Sequence, residues 1–154
     1  MLSDVPALFR FLGDPQAMRF THVDASLRDC RQRVAVHEWL RRRDGYAPWI
    51  VVRKNDGQII GWGGLYNDPF EPGWGVELGY HFDPKAWGHG YASELVAACM
   101  DVADRTLQLP QITAFAHAEN LPSRRVLQKA GFEQLRFVPE MDRFLYRRRG
   151  RASP

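Results

Sequence analysis

Between Lys85 and Ala92 the chain reads Lys-Ala-Trp-Gly-His-Gly-Tyr-Ala, with two glycines bracketing a histidine. An alternating apolar run precedes the glycines and a helical apolar pattern follows them. Glycine weakens regular structure, so a G-x-G set between two regular elements asks for a reason. A strand that turns through glycine into a helix aims the helix's unpaired N-terminal N–H groups at one point, which suits an anion. Without side chains at Gly88 and Gly90, a phosphate can approach the backbone there and around Tyr91 and Ala92. A plain tight corner would use the same residues, and the turn alone does not choose. The third glycine of a dinucleotide fingerprint is missing, since Ser93 stands in its place, and no G-x-x-x-x-G-K-[ST] occurs. Nucleotide-hydrolysing P-loop chemistry is thereby set aside.

The elements that must position this turn are legible from periodicity. Ser3 is read as the N-cap of a first helix with Leu8, Phe9 and Leu12 facing inward, ended by Gly13, Asp14 and Pro15. Ser26 with Asp29 forms a capping-box pattern for a second helix running to about Arg43, with Leu27, Cys30, Val34 and Leu40 on its buried side. Three strand patterns follow: "PWIVVRK", "QIIGWGGLYN" and "WGVELGYHF". The first two are joined by the hairpin signal "NDG", and the three together predict an antiparallel meander. A helix is expected from Tyr91 to Leu107, then a strand "QITAFAHAEN", then a short helix "LPSRRVLQKAGF" closed by Gly131. Two last strands, "FEQLRFVP" and "DRFLYRRR", complete an order ααβββαβαββ. The class is α/β (α+β), a mixed, mostly antiparallel sheet flanked by helices. One domain is expected over residues 1–148, with 149–154 a disordered basic tail.

Bulk composition narrows the functional classes. The 154 residues are 45% hydrophobic and 25% charged, as a single globular core requires. No apolar run reaches the ~18 residues of a membrane helix, and no signal-peptide pattern opens the sequence. Cys30 and Cys99 stand alone, as reduced, packed thiols of a cytoplasmic protein do. The five histidines show no metal-ligand spacing, and no metal is expected. The net charge of +3 comes largely from "RDCRQRVAVHEWLRRRD" and "YRRRGR". These stretches suit a solvated helix face and a terminal tail better than a nucleic-acid surface.

The segment "ELGYHFDPKAWGHGYASELV" resembles the acyl-CoA-binding motif of the GNAT superfamily of N-acetyltransferases: a strand, then [QR]-x-x-G-x-[GA], then a helix. Asn120, Ser123, Val126, Leu127, Lys129, Gly131 and Phe132 match that family's "N-x-x-S-x-x-v-l-x-K-x-G-F" pattern. The Trp-Gly-x-Gly-Tyr-Ala form resembles the ribosomal-protein N-terminal acetyltransferase (Rim-like) branch. Lys85 replaces the usual Gln or Arg, which keeps a cation. The family begins with a strand before its first helix, and this sequence opens within what resembles that helix. Either the start lies too late, or the sheet exposes an edge that favours pairing into a homodimer.

The resemblance implies acetyl transfer from acetyl-CoA to an amine, a protein N-terminus or a small molecule. Such chemistry needs a base for the amine, a donor for the oxyanion and a donor for the departing thiolate. Glu77 is the candidate base. It matches the acidic position of "E-[IL]-G-Y" and is out of phase with Val76, Leu78 and Tyr80. His81 shares that phase and is the second candidate. By the same match, Ser123 is the candidate donor to the thiolate. Asn120 is placed to hold the pantetheine arm, cap the helix, or do both. The backbone of Tyr80, His81 and Phe82 would pair with the pantetheine amides. Trp87, Gly88, His89, Gly90, Tyr91, Ala92 and Ser93 would surround the pyrophosphate, with Lys85, Arg124 and Lys129 as outer partners. Acceptor choice is expected in the first two helices, the "DPFEPGW" loop and the loop between the last strands. The alternatives are an acyl-CoA-binding module without turnover and, behind it, a nucleic-acid binder.

Overall fold

The structure, a computed structural model, describes residues 1–151. The first residues form a 3-10 turn over Leu2–Asp4, and α1 (Val5–Leu12) continues from it. Ser3 therefore lies inside the turn and caps nothing; the turn is tied by the Met1 ammonium to the Asp4 carboxylate at 2.8 Å. In α2 (Leu27–Asp44) the capping box is present: the Asp29 N–H donates to Ser26 Oγ at 3.2 Å, and the Ser26 hydroxyl donates to the Asp29 carboxylate at 2.7 Å. Leu27 is exposed, not buried as its pattern suggests, because it opens the first turn. The stripe that faces inward is Cys30, Val34, His37 and Leu40.

The meander follows as β1 (Trp49–Val52), β2 (Ile59–Asn67) and β3 (Val76–Phe82). Gly57 sits at φ +70 in the first hairpin. Then come α3 (Tyr91–Arg105), β4 (Gln111–Ala116), α4 (Leu121–Lys129), β5 (Glu133–Val138) and β6 (Arg143–Arg149). α3 stops at Arg105, short of the expected Leu107. The six strands form one sheet in the order β1-β2-β3-β4-β6-β5, with β3 and β4 parallel and every other pair antiparallel. This is the mixed, mostly antiparallel architecture expected from the sequence.

Two helical layers bury the two faces. Leu65, Leu78, Phe82, Ile112, Ala114 and Tyr146 pack with α3 and α4. On the opposite face Trp62 packs with Val5, Leu8, Phe11 and Leu12 of α1 and with Cys30 and Val34 of α2. Successive strand residues point to opposite faces. Glu77, Gly79 and His81 therefore share the α1/α2 face with Thr113, Phe115 and Arg143, as alternates of the residues in the first core.

Among the described residues no strand precedes α1, and β1 bonds to β2 alone at the sheet's edge. The ordered backbone runs past the expected boundary at 148. Arg149 ends β6, the Gly150 N–H donates to the Pro110 carbonyl at 2.9 Å, and the Arg151 N–H donates to Asp104 at 3.3 Å. Residues 152–154 of the expected tail lie outside the described residues. No described helix is long and apolar enough to cross a membrane.

Candidate active site

The parallel strands β3 and β4 meet only at Glu77 with Thr113 and at Leu78 with Ala114. Beyond that point β3 continues along β2 while β4 diverges, which opens a cleft in the sheet. The Asp83 N–H donates to the Ile60 carbonyl at 2.9 Å. Alternation along an antiparallel strand then turns the amide and carbonyl of Tyr80 and of Phe82 away from β2, into the cleft. The Phe82 carbonyl accepts from the Trp87 indole at 3.1 Å, which leaves the Tyr80 groups and the Phe82 N–H facing the opening. His81 points its main chain the other way, toward β2, so of the expected pairing edge only Tyr80 and Phe82 face the cleft.

A cavity of about 1140 Å³ runs through this cleft from one face of the sheet to the other. At one end it is walled by Trp87, Gly88, Gly90 and the first turn of α3, Tyr91, Ala92 and Ser93. Gly88 (φ +77) and Gly90 (φ +79) both need glycine's left-handed backbone, and a Cβ at either would meet nothing within 4 Å. Crowding by the protein does not explain them; the space they leave is open to the cavity. No side chain caps α3, and the first N–H used inside the helix is that of Glu94, to the Gly90 carbonyl at 3.1 Å. The unpaired amides before it form a cradle suited to a pyrophosphate. Lys85 and His89 stand outside the cavity lining. The His89 ring meets the Ala86 carbonyl at 3.2 Å and stacks near Tyr91, so it braces the turn.

α4 forms the neighbouring wall. The Asn120 side chain accepts the Ser123 N–H at 3.4 Å and so acts as the helix cap. The Ser123 and Tyr80 hydroxyls are hydrogen-bonded at 3.0 Å, across the mouth between β3 and α4. Burial pushes the Tyr80 phenol up to about 12, so it stays protonated at neutral pH. Arg124 is not free for a phosphate, because it donates to the Tyr146 hydroxyl, the Ala118 carbonyl and Gln134. Arg125, which sequence reading passed over, lines the cavity instead.

The other end of the cavity lies on the α1/α2 face. Glu77 is 3% exposed, and its Oε2 has no hydrogen-bond partner. Burial, reinforced by Asp68 and Glu71, raises its carboxyl to about 8 against the weaker pull of Arg143. Burial and the nearby Arg33 and Arg143 hold His81 down at about 3, too weakly basic to take a proton from an amine. His37 of α2 meets Trp62 and Tyr66 edge-on and is lowered by burial to about 4. Asp24, 2% exposed, pairs with Arg33 at 2.8 Å. Phe20, from the loop between α1 and α2, stacks on His117 at 4.8 Å and roofs this end. Sequence reading missed Asp24, Arg33, His37 and Arg143. The i, i+4 spacing of Arg33 and His37 on the inward stripe of α2 was the one available signal.

The family model for the acetyltransferase (GNAT) domain matches residues 1–133. The chain belongs to the GNAT acetyltransferase family. The Bacillus subtilis (strain 168) protein YkkB is 32% identical over 132 residues, 83% of this chain and 75% of that protein. A GNAT-family acetyltransferase structure from Bordetella pertussis superposes with a TM-score of 0.83 at 20% identity, covering 96% of this chain and 90% of that one. The Salmonella typhimurium yncA structure, solved with its cofactor acetyl-CoA, superposes with a TM-score of 0.77 at 18% identity, covering 99% and 92%. Their low identity makes the last two statements about fold. In this GNAT chain the fold places the glycine cradle and Glu77 at opposite ends of one cavity.

Proposed function

We propose that this GNAT acetyltransferase moves an acetyl group directly from the acetyl-CoA thioester to a primary amine, a protein N-terminus or a small amine, as the Rim-like motif form suggests. The observation that carries the reading is the one cavity joining an uncapped glycine turn, through a split in the sheet, to a buried carboxylate whose Oε2 has no partner. The α3 amides and the open space at Gly88 and Gly90 fit a pyrophosphate, and the Tyr80 and Phe82 backbone fits the pantetheine arm. The bound Salmonella neighbour supports acetyl-CoA as the donor.

Glu77 takes the proton of the acceptor ammonium, directly or through one water. Its raised affinity for protons matches that task near neutral pH. Backbone N–H groups on the cleft side of β3 orient the thioester carbonyl and stabilise its developing negative charge. Ser123, held by Asn120 and linked to Tyr80, donates to the thiolate as it leaves. Three of the six arginines of α2 are tied to acids, Arg33 to Asp24, Arg41 to Glu38 and Arg43 to Asp44, which reduces the positive charge the helix offers a nucleic acid.

The test is Glu77→Gln, followed by calorimetric titration with acetyl-CoA and by thiol release with a panel of amines. The expected result is unchanged acetyl-CoA affinity with turnover down by about 10²- to 10⁴-fold. Full turnover in the variant would remove Glu77 from the mechanism. A wild-type protein that binds acetyl-CoA but acetylates no amine would be a binding module instead.

A further inference from the structure

Four side-chain atoms among the described residues are buried without a hydrogen-bond partner: Asp24 Oδ2, His37 Nδ1, Glu77 Oε2 and Arg143 Nε. All four residues line the same cavity. Native proteins leave few buried polar groups unsatisfied, so four converging on one cavity mark a surface shaped for a polar ligand. Three are accounted for in part: Asp24 has Arg33, His37 has its aromatic neighbours, and Glu77 is the proposed base. Arg143 is different. Among the described residues it has no carboxylate within salt-bridge distance and no side-chain hydrogen bond. The other cavity-lining arginines on this face are engaged, Arg33 by Asp24 and the His22 carbonyl and Arg19 by the Phe20 ring.

A guanidinium set partly out of water with no directly bonded partner is costly, because desolvation is not offset by pairing. Alternation along β6 places Arg143 on the same face as Glu77, since Phe144 and Tyr146 pack into the opposite core. Its charge reaches both Glu77 and His81. The wall thus offers a negative side, with Glu77, Asp68 and Glu71, and one positive fork. That asymmetry fits a molecule carrying an ammonium and an anion together. A polycation would meet repulsion at Arg143, and a peptide N-terminus would present a neutral amide where the fork wants a charge.

We infer that Arg143 receives the carboxylate of the acceptor, so that the amine acetylated here belongs to a small amino-acid-like zwitterion. The planar guanidinium can take both carboxylate oxygens while Glu77 faces the amine. This assignment rests on the acetyl-transfer reading for its chemistry but not for its binding.

The experiment compares free amino acids with their α-carboxamides, in calorimetric binding to CoA-saturated protein and in thiol release with acetyl-CoA. The wild type should favour the acid over its amide by about 10- to 100-fold, the loss of one charge-assisted pair. Arg143→Gln should erase that preference with acetyl-CoA affinity unchanged and a melting temperature no lower than that of the wild type, and Arg143→Lys should restore part of it. Amides or diamines bound as well as acids by the wild type would overturn the assignment, as would an Arg143→Gln protein that keeps the preference. Acids bound over amides without any turnover would sink acetyl transfer and leave the zwitterion site standing.

Discussion

The two ends of the cavity are built by different means. The proposed donor end comes from one contiguous run, Trp87 to Ser93, and offers main-chain amides that the backbone conformation alone exposes. The proposed acceptor end is assembled from separate segments: Asp24 before α2, Arg33 and His37 on it, Glu77 on β3 and Arg143 on β6. Two of its groups, His37 and Glu77, are buried side chains whose proton affinity is shifted first of all by burial. The first is a matter of shape at two glycines, and the second of charges held away from water.

This difference predicts opposite sensitivities, the largest at the donor end. Gly90→Glu places a carboxylate where phosphates should sit, and like charges in contact cost several kcal/mol. Acetyl-CoA affinity in calorimetry should fall by about 100-fold or more. Gly90→Ala adds only a methyl group into open space, at the cost of about 1–2 kcal/mol for a left-handed residue. It should lower the melting temperature while retaining most of the binding. Wild-type affinity in Gly90→Glu would break the contrast, since the donor end would then lie elsewhere.

The acceptor end should reveal itself through pH instead. If Glu77 is the base it works only when ionised, so kcat/KM should rise by about tenfold per pH unit and level off above about 8. His37 and His81, lowered to about 4 and 3, stay neutral across that window and cannot produce the rise. Stability should move the other way. The Glu77 pKa is raised on folding, from the ordinary glutamate value of 4.5 to about 8. Its contribution is therefore intact below 4.5 and lost as pH climbs through 8. Glu77→Gln should flatten this decline and melt higher than the wild type at pH 9, read by thermal unfolding. A pH profile of stability unchanged by the variant would mean that the carboxyl is better solvated than its 3% exposure implies.

The same contrast explains what the sequence disclosed. Element order and the meander were readable because alternation and helical spacing are local properties of the chain, and the glycine turn was readable because its conformation resides in consecutive residues. Glu77 could be placed on the correct face from its phase against Val76 and Leu78. Nothing local marks Arg143, one of several arginines in "DRFLYRRR", as the one that looks into a cavity. That follows only once β6 inserts between β4 and β5. Asp24 sits in an irregular loop with no period to read. Ser3 and Leu27 misled because caps and first turns depend on where the preceding segment lies, which composition does not specify.

Tyr80 and Ser123 stand where the two ends meet, and they give the smallest and most discriminating test. The Tyr80 hydroxyl faces α4, not the acceptor wall, and its partner Ser123 is fixed in the first turn by Asn120. If Ser123 passes a proton to the departing thiolate with Tyr80 behind it, the two act as one unit. Ser123→Ala and Tyr80→Phe should each lower kcat by about tenfold, and the double variant by no more than either alone. Multiplying losses would make them independent contacts. Asn120→Ala separates support from chemistry: losing a helix cap costs about 1 kcal/mol of stability. It should shift the melting temperature while kcat falls less than in Ser123→Ala, because the serine backbone stays in α4 and its hydroxyl keeps Tyr80.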